Sequence, residues 1–164
     1  MNKKLKNIKE PFVMILIGPP LCGKTTWIQE NFPDTEVISQ DETYMEVYGS
    51  RNYEEAFKGV NQKEVKAVMN AKLIAANKAK QNVIIDMTHM FSKRRRVNLS
   101  YFSDDFYKVG IIFPIPTDEE MIKRNEKRIA EENKDMPLDI VKNSFISRYQ
   151  TIRDEEGFDK IISL

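Results

Sequence analysis

Residues 12–26, FVMILIGPPLCGKTT, decide the reading of this chain. Six apolar residues run into Gly18, and after four more come Gly23, Lys24 and Thr25. This is the spacing of a phosphate-binding loop set between a strand and a helix. Glycines at both ends let the backbone turn tightly around an anion with successive N–H groups pointing inward. Gly18, Pro19, Leu21, Cys22, Gly23, Lys24, Thr25 and Thr26 are therefore the candidate nucleotide-binding residues. Lys24 is placed to reach the β- and γ-phosphates and Thr25 to offer its hydroxyl to Mg²⁺, while the helix that starts here aims its positive end at the same charge. Cys22 reads as a small filler with no chemistry of its own. The loop implies a nucleoside triphosphate, with ATP and Mg²⁺ as the expected cofactors.

Composition sets the frame around this loop. The 164 residues, 41% of them hydrophobic, suit one α/β domain and are too few for two. A single cysteine excludes an internal disulfide framework, and no apolar run approaches the ~20 residues that cross a bilayer. The expectation is a cytoplasmic protein with no membrane partner. Residues 1–11, MNKKLKNIKEP, read as a basic, solvated tail without a cleavable apolar segment, followed by a single domain over 12–164. With a net charge of +1, any nucleic-acid contact must come from local basic patches.

Periodicity extends the strand–loop–helix unit along the chain. Helix is predicted over 25–31, a strand over 35–39 ending at Gln40 and Asp41, a helical turn over 42–48, and a loop over 49–52. A long helix over 62–80 carries Val65, Val68, Met69, Leu73 and Ala76 on one face. Residues 82–86 form a third strand, Ser92 caps a basic helix to about Phe102, and 107–113 form a fourth strand. Helices over 118–131 and 138–149 and a strand over 160–163 complete the pattern. Strands alternating with helices predict an α/β fold, a parallel sheet of about five strands covered on both faces, with ligands at the strands' carboxyl ends. That rule brings Gly18, Asp41 and Asp86 to one edge.

Other motifs narrow the class of triphosphate user. Asn133, Lys134 and Asp135 have the wrong spacing for a guanine-reading switch, and Asp86 is followed by Met87 where a motor ATPase places a glutamate. Transfer to a hydroxyl fits better than hydrolysis. Arg124 and Arg128 are four apart and share a helix face, with Ile122 and Ile129 roughly opposite. They read either as a pair aimed at a phosphoryl group or as a solvated face paired with Glu119, Glu120 and Glu131. The run Lys93 to Arg96 opens a helix where cations oppose the dipole, so an acidic substrate is one explanation for it and a solvated basic face another. His89, the only histidine, stays outside the catalytic set, and Trp27 reads as core.

Five segments carry a resemblance that spans nearly the whole chain: residues 18–27; Ser39-Gln40-Asp41; Ile85 to His89 followed by Arg94 and Arg95; residues 123–128; and residues 155–158. The chain resembles the kinase domain of the polynucleotide 5′-hydroxyl kinases and related P-loop kinases, phage enzymes among them. The resemblance implies a P-loop kinase fold with the phosphate-loop strand central and a mobile, arginine-bearing lid, here about 118–136. It implies Asp41 as the general base, close to Mg²⁺, although Asp41 also suits a helix N-cap. Lys24, Arg124 and Arg128 complete the catalytic set, with Thr25 and Asp41 toward the metal. Asp86, Arg95 and Tyr44 are the implied substrate contacts, with packing on Asp86 an equal role for Arg95 and a hold on Mg²⁺ through water the alternative for Asp86. Tyr44 stands where phage relatives carry an arginine, so acceptor recognition must differ or move, with Arg51 as one place for it. The expected activity is transfer of the ATP γ-phosphoryl to a hydroxyl, first the 5′-OH of a DNA or RNA end. A kinase of a small hydroxylated molecule or of hydroxymethylated bases, and a non-catalytic nucleotide-binding module, are the alternatives.

Overall fold

The computed structural model describes Leu5 and residues 7–164. Its frame is a five-stranded, all-parallel sheet in the order β2-β3-β1-β4-β5. The strands are β1 (Phe12–Ile17), β2 (Glu36–Ser39), β3 (Val83–Asp86), β4 (Tyr107–Ile112) and β5 (Lys160–Ser163). The phosphate-loop strand β1 is central, and every one of its residues is buried. Alternation decides where each side chain goes. Val13, Ile15 and Ile17 enter one core layer, and Phe12, Met14 and Leu16 enter the other. A strand buried on both faces explains why its sequence is an unbroken apolar run.

The helices are α1 (Lys24–Asn31), α2 (Gln40–Tyr48), α3 (Tyr53–Gly59), α4 (Gln62–Ala79), α5 (Ser92–Leu99), α6 (Asp118–Glu132) and the short α7 (Leu138–Ile140). Helix α4 buries Val65, Met69, Leu73 and Ala76, a stripe at helical spacing, against the first layer. Ile28 of α1 packs into the second. Leu21, Met121 and Val141 form a third, small cluster that ties the phosphate loop to α6.

Several sequence expectations need correcting. Helix α3 lies where no element was expected, because it buries only Ala56 and has no apolar stripe to betray it. The helix expected over 138–149 is broken: after α7 it widens to a π turn over Val141–Phe145 and tightens to a 3₁₀ turn over Ile146–Arg148. Ser92 begins α5 rather than capping it, and the helix stops at Leu99. The expected basic tail falls partly on residues 1–4 and 6, outside the described residues. Within the remainder, Leu5 is buried in the second layer with Ile8 packed against it, so this stretch is not wholly solvated.

Candidate active site

The site begins where β1 runs out of sheet. Gly18 hands its backbone N–H to Thr88 O at 3.0 Å, which fixes the loop to the segment that follows β3. Gly18 is also a matter of space: a Cβ there would stand 2.7 Å from Cys22 Sγ and 2.9 Å from Phe113 Cβ. Gly23, with φ of 95°, occupies the left-handed region and precedes α1. No side chain caps that helix, whereas Ser39, Asn52, Asn61 and Thr117 cap α2, α3, α4 and α6. The free N–H groups at the start of α1 are thus those that an anion would satisfy. Lys24 is buried and donates to Gly18 O at 3.1 Å and Pro19 O at 2.9 Å, which holds its ammonium across the loop. Thr25 and Thr26 are exposed on the first turn. Burial pushes the Cys22 thiol above its ordinary range, against the pull of Lys24, so it stays protonated.

Two acids stand beside the loop. Ser39 and Asp86 are register partners at the ends of β2 and β3, and Asp41 lies two residues beyond Ser39. Ser39, not Asp41, is the N-cap of α2, its Oγ accepting from Glu42 N. Asp41 is therefore released from the capping role open to it in the sequence. Burial raises the Asp86 carboxyl above the usual range; Lys24 pulls it down, the Asp41 charge pushes it up again, and Lys134 and Arg128 oppose that. These five groups share one electrostatic environment.

Helix α6 lies over this arrangement. A Thr117 capping box with Glu120 starts it, and Met121 anchors it in the third cluster. Arg124, one turn on, donates from Nη1 to Leu21 O at 2.8 Å, so it sits on the phosphate loop itself. Arg128, a further turn on, bears on Asp86 and Tyr53. Ile122 and Ile129 point to solvent, so the arginine face is the one turned inward. Beyond the helix, Lys134 reaches Asp41 Oδ2 at 3.4 Å and lies 4.7 Å from the centre of the Tyr53 ring. Burial and then the Asp41 charge push the Tyr53 phenol above its ordinary range. Asn133 donates to Asn52 Oδ1 at 3.1 Å, joining the end of α6 to the start of α3.

The structure redistributes the implied substrate contacts. Arg95 is fully buried, its Nε and Nη2 donating to Glu156 at 2.6 and 2.7 Å and its other donors to His89 O and Gln150 O. All three of its nitrogens are engaged and none reaches the surface, so Arg95 stands as a structural clamp rather than the expected substrate contact. The 155–158 motif is the other half of this clamp, with Phe158 filling the space above Gly110. Tyr44 is buried among Tyr53 and Phe57, and its hydroxyl accepts from Gln40 Nε2 at 3.0 Å. Arg51 pairs with Glu42 at 2.7 Å on the surface. His89 is a satisfied core residue: Nδ1–H donates to Leu16 O, Nε2 accepts from Asn98, and burial lowers its pKa to about 3. Trp27 packs tilted against Phe32 and edge-on against Phe113.

Sequence reasoning missed Lys134, Tyr53 and a cavity of about 150 Å³ lined by Gln40, Gln62, Asn70, Met87, Arg94 and Asn98. Lys134 follows a left-handed Asn133 that ends α6, a stop signal legible in principle. The cavity draws on α2, α4 and α5, so no local pattern announces it.

A family model described as an AAA domain matches residues 13–149. A chain in the Pnkp1/Rnl/Hen1 RNA repair complex is similar at TM-score 0.66 and 22% identity, over 90% of this chain and 46% of that one. A chain of the PezAT chromosomal toxin–antitoxin system of Streptococcus pneumoniae gives 0.67 and 15%, over 94% and 67%. A sugar kinase from Janibacter sp. HTCC2649 gives 0.58 and 17%, over 93% and 84%. The chain thus spans less than half of the RNA repair chain it matches. Likenesses at these identities establish the fold, an α/β P-loop kinase fold. No helix among the described residues is long and apolar enough to cross a membrane.

Proposed function

We propose a function on this premise: the chain belongs to the AAA domain family, and its site is that of an ATP-dependent kinase acting on a hydroxyl, first the 5′-OH of a polynucleotide. One observation carries the reading. Asp41, two residues beyond the end of β2 and free of the capping role that Ser39 fills, shares an electrostatic environment with Asp86 at the adjacent strand end and with Lys24 of the phosphate loop, on which Arg124 rests. A motor ATPase carries its second carboxylate directly after the aspartate of this strand, where this chain has Met87; here the second carboxylate comes from beyond the neighbouring strand, which suits an incoming alcohol.

In this reading residues 12–164 act as one domain with a lid over about 118–136. Backbone N–H groups from Gly18 to Thr26 and the uncapped start of α1 hold the polyphosphate. The Lys24 ammonium exchanges its two carbonyl partners for phosphate oxygens. Thr25 and Asp41 would hold Mg²⁺, which neutralises charge between the terminal phosphates. Asp41 takes the proton of the attacking hydroxyl, and a base so positioned contributes roughly 10²–10⁴-fold. Arg124 and Arg128 stabilise the charge on the transferring phosphoryl. Asp86 and the hydroxyl of Tyr44 border the acceptor. The cavity beside them, about 150 Å³, falls below the ~300 Å³ at which pockets begin to enclose a whole ligand, so it suits the end of a chain entering tip first.

A second reading, a kinase of a small hydroxylated molecule, draws on the burial of Tyr44, which leaves no cation where phage relatives place an arginine. Incubation with γ-labelled ATP and separate oligonucleotide, nucleoside and sugar acceptors decides between them. The proposal expects label on the 5′-OH oligonucleotide. Label confined to small molecules establishes the second reading, and nucleotide binding without any transfer shows a regulatory module.

A further inference from the structure

The basic run Lys93 to Arg96 is divided by the structure among three tasks. Arg95 turns into the core as the clamp on Glu156, and Arg94 lines the small cavity at the acceptor side. Lys93 and Arg96, three apart and so on one face of α5, line a separate groove of about 990 Å³ between that helix and residues 150–157. Lys108 and Arg153 line it as well.

The charge in this groove is of one sign. Among the described residues that line it the one carboxylate is Glu156, which is buried and neutralised by Arg95. Lys108 and Arg153 have partners 3.9 and 3.8 Å away, Asp104 and Glu155, both largely exposed. Lys93 and Arg96 have no ion pair among the described residues, and Lys93 lies in the first turn of α5, where the helix dipole disfavours it. Lys93 held against that cost, with three further cations along the same groove and the side chains of Ser92, Gln150 and Thr151 among them, points to an anion. The four cations are also spread out rather than convergent. The groove follows α5 from Ser92 to Ser100, and an eight-residue helix is ~12 Å long. A single phosphate would use one end; a repeated phosphate uses the length.

We infer that this groove is a track for the phosphodiester backbone of a single-stranded polynucleotide, distinct from the site of transfer and continuous with it around α5. The inference rests on the polynucleotide reading above. One helix, about 10–12 Å across, separates the acceptor cavity on the Arg94 side from the groove on the Lys93 and Arg96 side. A strand whose terminal hydroxyl faces Asp41 thus has its first phosphates near Arg94 and its later ones in the groove. The groove adds affinity for length and reads no base, because its cations meet phosphates alone.

The first test is binding without chemistry. Fluorescence anisotropy of a labelled 5′-phosphorylated dodecanucleotide, which cannot be a substrate, is measured against the full chain over a range of salt, with wild type and Lys93→Ala/Arg96→Ala. The account expects saturable binding whose salt dependence, for two lost contacts on a single strand, becomes shallower by about 1.4 in log–log slope in the variant. The second test is the ratio of KM for a 5′-OH dinucleotide to that for a dodecanucleotide. It should exceed one in wild type and fall toward one in the variant. Because both substituted residues are exposed, a folded variant is expected, and its melting curve checks this. Equal dodecamer binding and slope in wild type and variant overturns the track. So does polyglutamate binding in the groove while the oligonucleotide shows no saturation. Dodecamer binding that depends on Lys93 and Arg96, in a protein that phosphorylates no oligonucleotide, would uphold the groove and reject the polynucleotide kinase reading, so the two fail separately.

Discussion

Helices α5 and α6 both carry arginines that bond to other segments of the chain, and they do opposite things with them. On α5, Arg95 is fully buried, bonds Glu156 and two carbonyls, and holds the segment after β3 to the segment before β5. On α6, Arg124 is half-exposed, makes one bond to the loop at Leu21 O and only a loose 3.8 Å contact with Glu120. A buried guanidinium bonded through all three nitrogens serves as scaffold; one with donors to spare on the phosphate loop is available for the chemistry proposed above. The same residue type separates into the two roles by burial and by the number of protein acceptors within reach.

The strongest way to break this contrast is to remove the α6 arginines. Arg124→Ala or Arg128→Ala should slow γ-phosphoryl transfer by roughly 10³–10⁵-fold, the range for an arginine that stabilises transferring charge. Stability should move by less than about 0.5 kcal/mol, as for other surface changes. Single-turnover transfer and urea unfolding on the same preparations give both numbers. A large loss of stability with little loss of rate would reverse the assignment.

Arg95→Met should do the reverse. Leaving the buried Glu156 without its partner costs about 3–5 kcal/mol, read as a lower urea midpoint. Arg95→Met/Glu156→Met should recover much of that, because replacing both members of a buried pair is often close to neutral. A double variant no better than the single one would mean that the carbonyl bonds, and not the ion pair, hold this region.

His89 sharpens the same boundary between scaffold and chemistry. Its folded pKa of about 3 lies below its unfolded value of ~6.5, so below that value the unfolded chain binds the extra proton. The stabilisation is whole above pH ~6.5 and is lost as pH falls toward 3, at about 1.4 kcal/mol per unit. Unfolding followed between pH 7 and 5 should show this slope, and His89→Gln should flatten it. An unchanged slope in the variant would move the acid sensitivity to other groups.

The smallest effect belongs to Lys134. Lys134→Met removes a partly exposed pair with Asp41, worth less than about 1 kcal/mol, and loosens the end of α6. Faster amide exchange over 128–134 than over α4 is the expected readout. No change there would detach Lys134 from the lid.

The sheet was legible because β1 is buried on both faces, so its apolar run has one reading, and because the loop that follows needs glycine at Gly18 for space and at Gly23 for conformation. Helix α3 was not legible, since one buried alanine leaves no periodic trace. Among the candidate site residues, Lys24 lies inside a contiguous motif, and Arg124 and Arg128 share a helix face, so spacing alone proposes them. Arg95 misled for a physical reason: its partner is 61 residues away, and a basic run gives no sign of which member will be buried. The cavity and the groove on either side of α5 are properties of packing between distant segments, and no window of sequence contains them.

The central claim is that Asp41 takes the proton of an incoming hydroxyl beside the phosphate loop. Asp41→Asn keeps shape and removes the base, so single-turnover transfer from γ-labelled ATP to the acceptor, measured with ATP binding on the same sample, tests it directly. The account predicts a rate lower by roughly 10²–10⁴-fold with ATP affinity retained. Wild-type transfer by that variant, with ATP bound normally, would contradict it.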